Sequence, residues 1–332
     1  MELTLIWTLV IAIGVAMYII LDGFDLGVGI IFPFSRKEEH RDMMMASIAP
    51  VWDGNETWLV LGGAGLFGAF PIVYATVLPA LYIPLMLFLF ALVFRGVAFE
   101  FRARAETSVR VWNISFAAGS TLAAFAQGLV LGSFVEGLPI VNGHYAGGPF
   151  GWLSPFSLFT GLALVIGYGL LGSTWVIRKT EGDVQDWAFR MAKRLGIGLL
   201  LSIIVVSLWT PFAEQAIRDR WFSFPNLFFL APIPLLTAAL GLALLLSLKN
   251  RRERPPFVLS IGLFLLAYLG LAVSLWPYIV PRAITIWEAA APPDTQIFLL
   301  VGVLMFLPLV LGYTIYTYRV FRGKVKPGDS YH

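Results

Sequence analysis

The chain has 332 residues, of which 58% are hydrophobic, 15% aromatic and 13% charged, and its mean hydropathy is +0.81. Soluble domains carry about 25% charged residues, so this composition excludes a soluble globular protein and indicates a polytopic membrane protein. The net charge of +3 is small and the basic residues form short clusters, which argues against a nucleic-acid partner. Cysteine is absent, which excludes disulfides and thiolate metal sites.

Nine apolar stretches are long enough, or nearly so, to cross a bilayer, which takes about 20 residues. In chain order they cover 3–34, 51–70, 78–99, 113–135, 156–177, 196–212, 225–248, 257–279 and 297–318, and the sixth is the shortest. The first run lacks a basic flank and a small-residue cleavage site, so we expect a retained span rather than a signal peptide. The runs exceed the roughly 10-residue strands of a membrane barrel, and they predict an all-α fold.

The connections between these spans divide unevenly in charge. Most of the 23 Lys and Arg residues fall in alternate connections, starting with the first, whereas only Arg218, Arg220 and Arg282 lie in the other set. The remaining basic residue, Arg95, lies inside the third span. Because Lys and Arg collect on the cytoplasmic side, this pattern predicts an outside N-terminus and a cytoplasmic C-terminus.

Two carboxylates interrupt the far half of the first span, in the motif LDGFDLGVG at 21–29. Asp22 and Asp25 are three residues apart, so they share one side of the helix. An Asp at the centre of a membrane helix costs roughly 2.5 to 3.5 kcal/mol, and such residues usually serve a function. We therefore take this pair as the starting point of a candidate site.

Two further charged motifs lie at a similar depth by the predicted topology. The second span opens with PVWDGNETW at 50–58, which contains Asp53 and Glu56, and the third span closes with FRGVAFEFR at 94–102, which contains Arg95 and Glu100. Acids in the first turn suit the positive end of the helix dipole. We expect the three motifs to approach one another near the cytoplasmic face.

The charges allow two interpretations, and both can hold for different residues. In the first, Arg95 pairs with Asp22 or Asp25, while Asp53 and Glu56 cap a helix, because buried charges are usually paired. In the second, carboxylates that are buried near one another exchange protons and form a proton path. Of these residues, Asp22 and Arg95 fit the structural role better, and Asp25 and Asp53 fit proton exchange better.

The chain offers few ligands for a haem or a metal ion. Its three histidines, His40, His144 and His332, all fall outside the predicted spans, and we expect His40 and His144 at the surface. Intramembrane methionines such as Met17 and Met305 more often serve packing than ligation. No complete catalytic centre can be assembled from these residues.

The three charged motifs, with the block APVWDGNETWL at 49–59, together resemble subunit II of the cytochrome bd quinol oxidases in order and spacing. The resemblance implies a terminal oxidase of aerobic respiration that oxidises quinol, reduces O2 to water and draws protons from the cytoplasm. It also implies a prokaryotic cell membrane as the location and subunit I, which holds two haems b and one haem d, as the partner. A very small third subunit often accompanies the pair.

The resemblance further implies an architecture of two four-helix bundles and one peripheral helix. We expect the first bundle at 1–135, the second at 156–279, and the ninth helix with a cytoplasmic tail at 296–332. The chain itself is expected to hold no haem, no metal and no catalytic residue. Its neighbours would be subunit I, quinol and the lipid bilayer, with no nucleic acid.

Residue by residue, Asp25 and Asp53 match family acids associated with a proton route toward haem d. Arg95 and Glu100 match the charged end of the third span, and Trp52 and Trp58 match the aromatic positions that flank the acid. Some relatives have an uncharged residue where Glu56 stands. The predicted proton path thus comprises Asp25, Asp53, Glu56 and Glu100, and the predicted structural charge network comprises Asp22, Arg95, Trp52 and Trp58.

Two other classes of function stay open from the sequence. A proton-coupled transporter also uses intramembrane acids, but it would place polar groups in broken helices of paired repeats, and spans five to nine are nearly free of charge. A purely structural scaffold for a catalytic partner would need only the ion pairs. Replacement of Asp25 or Asp53 by Asn separates the scaffold from the proton path.

Overall fold

The computed structural model describes residues 2–141, 144–326 and 328. Its helices are α1 (Glu2–Ile31), α2 (Glu38–Ile48), α3 (Trp52–Ala69), α4 (Pro71–Ala80), α5 (Tyr82–Arg102), α6 (Val109–Glu136), α7 (Pro155–Lys179), α8 (Gly182–Ala213), α9 (Gln215–Phe222), α10 (Asn226–Leu230), α11 (Pro232–Lys249), α12 (Pro255–Leu275), α13 (Ile286–Ala289) and α14 (Pro293–Val320). A short 3-10 helix follows α1 at Phe32–Phe34. Two small antiparallel hairpins pair β1 (Ile140–Val141) with β2 (His144–Tyr145) and β3 (Tyr278–Val280) with β4 (Ile284–Thr285). His332 lies outside the described residues.

Within the described ranges, eight helices are long and apolar enough to cross a membrane, and the number is nine if the bent pair of α3 and α4 forms one span. One of the eight joins α10 and α11. The predicted all-α polytopic fold is therefore confirmed. The orientation in the membrane stays a prediction.

The second span, predicted at 51–70, is confirmed as α3 (Trp52–Ala69), but a helix that was not predicted, α4, follows it directly. Helix α3 ends at Ala69, and α4 leaves it at an angle of 116°. Phe70 between them has non-helical backbone angles, and Pro71, which lacks a backbone N–H, begins the new helix. As a consequence the third span begins at Tyr82 rather than at residue 78.

The sixth span is also longer than predicted. Helix α8 contains 32 residues and begins at Gly182, well before the apolar stretch at 196–212. Its first turns are amphipathic and bury Val184, Ala188 and Ala192 at intervals of four residues. A hydropathy search detects only the uniformly apolar part of such a helix.

Helix α1 lies at the centre of the molecule, in contact with α3, α6, α7 and α14. It crosses α7 with the two backbones in direct contact, because a Cβ atom at Gly27 would overlap the carbonyl oxygen of Tyr168 and one at Gly172 would overlap the backbone of Gly27. The same motif that carries the acids thus also carries the residues that allow this close crossing.

Helix α2 was not predicted, and it lies against the end of the bundle between α1 and α3. Arg102, at the end of α5, fixes it through ion pairs with Glu38 at 2.6 Å and Asp42 at 2.7 Å. Burial alone would raise the pKa of Glu38, but hydrogen bonds from Asn113, Arg41 and Arg102 outweigh burial and hold this pKa below its ordinary value. Glu38 is therefore ionised at neutral pH and can pair with Arg102.

The expectation that His40 lies at the surface was wrong. His40 belongs to α2, and 9% of it is exposed, because the helix turns this residue and its three neighbouring methionines at 43–45 toward the bundle. His144 lies in the β1–β2 hairpin and is exposed, as expected.

Helix α14 is the least enclosed of the spans and packs against α3 and α1. Only Gln296 and Thr317 are buried within it. The short segment that follows α14 turns back onto the ends of α7 and α8, where Lys324 pairs with Glu181 and Glu253. The division into two bundles and a peripheral helix stays a prediction.

Candidate functional site

Asp22 and Asp25 are both fully buried. The glycines of the motif determine which way the two carboxylates face. Gly23 and Gly27 lie against Tyr168 of α7, so the other side of α1 carries the two carboxylates toward α3 and α5. The sequence LDGFDLG therefore separates a packing face from an acidic face on one helix.

Arg95 of α5 is also fully buried, and it lies between two carboxylates. Its Nη1 atom is 3.1 Å from Oδ1 of Asp22 and donates a 3.1 Å hydrogen bond to Oε1 of Glu56. The guanidinium lies 5.6 Å from the ring centre of Trp52, within the range of a cation–π contact. Arg95 thus connects α1, α3 and α5, and we call Asp22, Asp25, Asn55, Glu56 and Arg95 the acid cluster.

Asp25 has a different environment from Asp22. Its Oδ2 atom accepts a 2.6 Å hydrogen bond from Nδ2 of Asn55, which also donates to the carbonyl of Leu21 at 3.3 Å. Oδ1 of Asn55 accepts a 3.0 Å hydrogen bond from the hydroxyl of Tyr318 on α14. Among the described residues Asp25 forms no ion pair, so it is the carboxyl of the cluster without a directly bonded cation.

Several buried polar atoms of the cluster have no hydrogen-bond partner within the described chain. They are Oδ1 of Asp25 and Nε and Nη2 of Arg95. Nε1 of the buried Trp58, one turn after Asn55 on α3, is likewise without a partner. An unsatisfied buried polar group costs about 1 to 3 kcal/mol, so native proteins seldom leave such groups without water or another partner. The orphaned atoms mark this region as a place where water or a proton can be bound.

The other two predicted members of the proton path lie outside the cluster. Asp53 is exposed in the first turn of α3, one turn before Glu56, whose side chain is 25% exposed. Glu100 is exposed on α5, on a different face from Arg95. The prediction that Asp53 and Glu56 cap α3 was wrong, because Val51 is its N-cap and no side chain bonds there.

The structure adds uncharged residues that the sequence did not single out. Tyr318 donates to Asn55, and Asn55 donates to Asp25, as described above. Tyr168 donates to Gln127 at 2.8 Å and Gln127 donates to Tyr18 at 3.0 Å, and Tyr18 lies one turn before Asp22 on the same side of α1. In the sequence, the only indication of these residues is that a polar side chain stands inside an apolar span. This indication is weak, because uncharged side chains such as Tyr and Asn do not stand out there.

Comparison with known proteins identifies the family. The sequence model of "Cytochrome bd terminal oxidase subunit II" matches residues 3–321. The chain belongs to this family. The resemblance that the three charged motifs carried is thereby confirmed over nearly the whole length of the chain.

Curated members of the family are similar along their whole length. The chain is 26% identical to cytochrome bd-I ubiquinol oxidase subunit 2 of Escherichia coli (strain K12), with 98% of this chain and 96% of that protein covered. It is 27% identical to cytochrome bd ubiquinol oxidase subunit 2 of Bacillus subtilis (strain 168), with 96% of each covered. A chain of the bd oxidase from Geobacillus thermodenitrificans has the same fold, with a TM-score of 0.81, 19% identity, and coverage of 97% of this chain and 99% of that chain.

Membership of the bd family makes the chain a subunit of a terminal oxidase, a multi-subunit membrane oxidoreductase that contains haem. Within the described ranges no three His, Cys, Asp or Glu side chains come together in a way that could hold a metal ion. The acid cluster contains one cation and three carboxylates, which suits charge pairing and proton binding. Haem ligation by the other subunit stays a prediction.

Proposed function

We propose that this chain is the subunit of a quinol:O2 oxidoreductase that packs against haem-bearing subunit I and supplies a path for proton uptake from the cytoplasm. The observation that carries the proposal is a series of acids of increasing burial. Asp53 is exposed, the side chain of Glu56 is 25% exposed, and Asp22 and Asp25 are fully buried. Such a series leads from the surface to the interior of the bundle.

The acids would have different roles, which depend on the residues that contact them. Asp22 is beside Arg95, and this pair would hold α1 and α5 together. Asp25 has a neutral partner in Asn55, so a proton can bind to it without breaking an ion pair. Asp53 and Glu56 would deliver the proton from the surface, and Glu100 would act where α5 meets subunit I or the solvent.

Water would connect these acids. Asp25 and Arg95 have buried oxygen and nitrogen atoms without a partner in the described chain, and buried polar atoms of this kind are the usual ligands of internal water. Trp52 and Trp58 would limit the space around this water and hold Arg95 in place.

We infer the substrate and the subunit composition of the complex from the relatives of this chain. We propose quinol as the electron donor, because the matched proteins of E. coli and B. subtilis are called ubiquinol oxidase subunits. Subunit I would hold two haems b and one haem d, a very small third subunit would complete the complex, and the complex would lie in the cytoplasmic membrane. Residues 1–135 and 156–279 would form the two bundles, with 296–332 as the peripheral helix and tail.

Substitution of Asp25 and Asp53 in the purified complex tests the proton path. Asp25→Asn and Asp53→Asn should each slow quinol-dependent O2 consumption about tenfold or more, since each removes one proton-binding group from the series. The reduced-minus-oxidised spectrum should keep its haem b and haem d bands. The matched control is Asp186→Asn, which changes an exposed acid at the start of α8.

Each outcome of this experiment is informative. Normal turnover of both Asn variants with full haem content would overturn the proton path and leave the scaffold role. A purified chain without haem bands, from cells that express subunit I, would overturn the oxidase assignment and favour a proton-coupled transporter.

A further inference from the structure

The peripheral helix α14 reaches the acid cluster through one side chain. Tyr318, in its last turn, donates a 3.0 Å hydrogen bond to Oδ1 of Asn55, and Nδ2 of Asn55 donates a 2.6 Å hydrogen bond to Asp25. The Tyr318 ring also meets Phe24 and Trp175 edge to face, with ring centres 6.5 and 6.2 Å apart. Tyr318 is thus enclosed on a helix that is otherwise mostly exposed.

The hydroxyl of Tyr318 completes the hydrogen bonds of the Asn55 amide. An amide has one donor end and one acceptor end. Nδ2 faces two acceptors, Asp25 and the carbonyl of Leu21, and these two set which end of the amide points at Asp25. Oδ1, at the other end, accepts from the hydroxyl of Tyr318. The bond from Tyr318 therefore restrains the position of the amide that donates to Asp25.

A second set of contacts fixes the end of α14 that carries Tyr318. Lys179, which is 6% exposed at the end of α7, donates to the carbonyl of Phe321 and, at 2.9 Å, to that of Gly323. The carbonyl of Lys179 accepts a 2.8 Å hydrogen bond from the backbone N–H of Val325. A buried cation that bonds to the free carbonyls at a helix end holds that end in place.

We propose that Tyr318 is a positioning residue for Asp25, and that the Lys179 contacts set its place, so that the ninth helix completes the proton-binding site. The inference rests on the proposed proton path through Asp25. It assigns to α14 a function beyond attachment to the bundle. The chemistry is specific: one hydroxyl donor restrains one amide, and this amide supplies the only hydrogen bond to Asp25 from another described side chain.

Tyr318→Phe in the purified oxidase complex tests the inference, with Tyr316→Phe as the matched control. Tyr316 is on the same helix and 67% exposed. Tyr318→Phe keeps the ring and removes only the donor, so turnover should fall about three- to tenfold, as expected for the loss of one hydrogen bond. The pH profile of turnover and the infrared carboxyl band that Asp25→Asn abolishes should both shift, while haem content stays constant. Tyr316→Phe should change none of these.

Lys179→Met provides an independent variant at a distance from the cluster. It should shift the same carboxyl band in the same direction as Tyr318→Phe, because it frees the end of α14 without touching Asn55. Unchanged pH profile and carboxyl band in both variants would overturn the inference.

The reference variant Asp25→Asn distinguishes the two possible failures. If Asp25→Asn slows turnover and Tyr318→Phe matches the Tyr316→Phe control, the proton path stands and the role of Tyr318 is wrong. If Asp25→Asn itself turns over normally, the proposed function has failed, and the inference about Tyr318 fails with it.

Discussion

Arg95 is a buried cation, and of the two described carboxylates that pair with its guanidinium, that of Asp22 is fully buried. The second carboxylate, Glu56, is 25% exposed and can be hydrated. Removal of one member of a buried pair leaves an uncompensated charge, and the cost of that charge usually exceeds the net value of the pair itself. The pair is therefore best understood as a constraint on how α1 meets α5.

A double substitution of this pair follows as a prediction. Arg95→Met should destabilise the complex by about 3 to 5 kcal/mol, since it leaves Asp22 buried without its cation. Arg95→Met with Asp22→Asn should recover much of that loss, because neither buried charge remains. Thermal unfolding of the purified complex measures both. A double variant no more stable than Arg95→Met would show that the pair is not what holds these helices.

Asp25 and Asp22 illustrate how neighbouring acids acquire different roles. They are three residues apart and equally buried, yet one is beside a guanidinium and the other accepts a hydrogen bond from a neutral amide. Spacing alone placed both on one side of the helix. Their partners distinguish them. Asp22 pairs with Arg95 of α5 and connects two helices, whereas Asp25, the candidate proton carrier, accepts from Asn55 of α3, which in turn accepts from Tyr318 of α14.

At the scale of elements, the crossing of α1 and α7 depends on paired glycines. A methyl group at Gly27 would overlap the carbonyl oxygen of Tyr168, which is part of a helix backbone and cannot rotate away. Small residues at such crossings allow close packing of membrane helices. The acidic face of α1 keeps its position relative to α3 and α5 only while this crossing is intact.

Gly27→Ala should therefore prevent assembly of a stable subunit. Overpacking usually costs about 1 to 3 kcal/mol, and a clash with backbone lies at or above the upper end. The level of the chain in membranes and the haem spectrum of the complex report the loss. Gly302→Ala in α14 is the control, because a Cβ there meets nothing within 4 Å and the change should be neutral. Normal assembly of Gly27→Ala would contradict the close crossing.

The sequence predicted those elements and residues that stand out by hydropathy or charge. Asp22, Asp25, Glu56 and Arg95 were found because a charge in an apolar run is conspicuous, and they meet in the structure. Tyr318 was not found, since it is uncharged and bonds to a residue 263 positions away in the chain.

The elements that the sequence did not predict were also missed for physical reasons. Helix α2 begins with the polar run Glu38–Asp42 and continues with three methionines at 43–45, so it resembles neither a span nor a plain loop. The bend between α3 and α4 separates two apolar segments, so hydropathy runs through it without a change. Ion pairs with Arg102 fix α2, whereas the local backbone at Phe70 and Pro71 determines the bend.

At the scale of the whole molecule, the acid cluster and the clamped end of α14 lie toward the same end of the bundle. Asp22 precedes the end of α1 by about 14 Å, at 1.5 Å per residue. Helix α2, Arg102 and the Lys179 contacts lie at this end as well. The side of the membrane that this end faces therefore decides where protons enter.

Single cysteines can establish that side, because the chain has no cysteine of its own. Gly148→Cys lies in the loop after the β1–β2 hairpin, where an added Cβ meets nothing within 4 Å, and Arg252→Cys lies in the exposed connection between α11 and α12. With basic connections inside, a membrane-impermeant maleimide should label Gly148→Cys in intact spheroplasts and Arg252→Cys only after the membrane is opened. The reverse pattern would place the acid cluster toward the outer face, and uptake of protons from the cytoplasm through Asp25 would then be untenable.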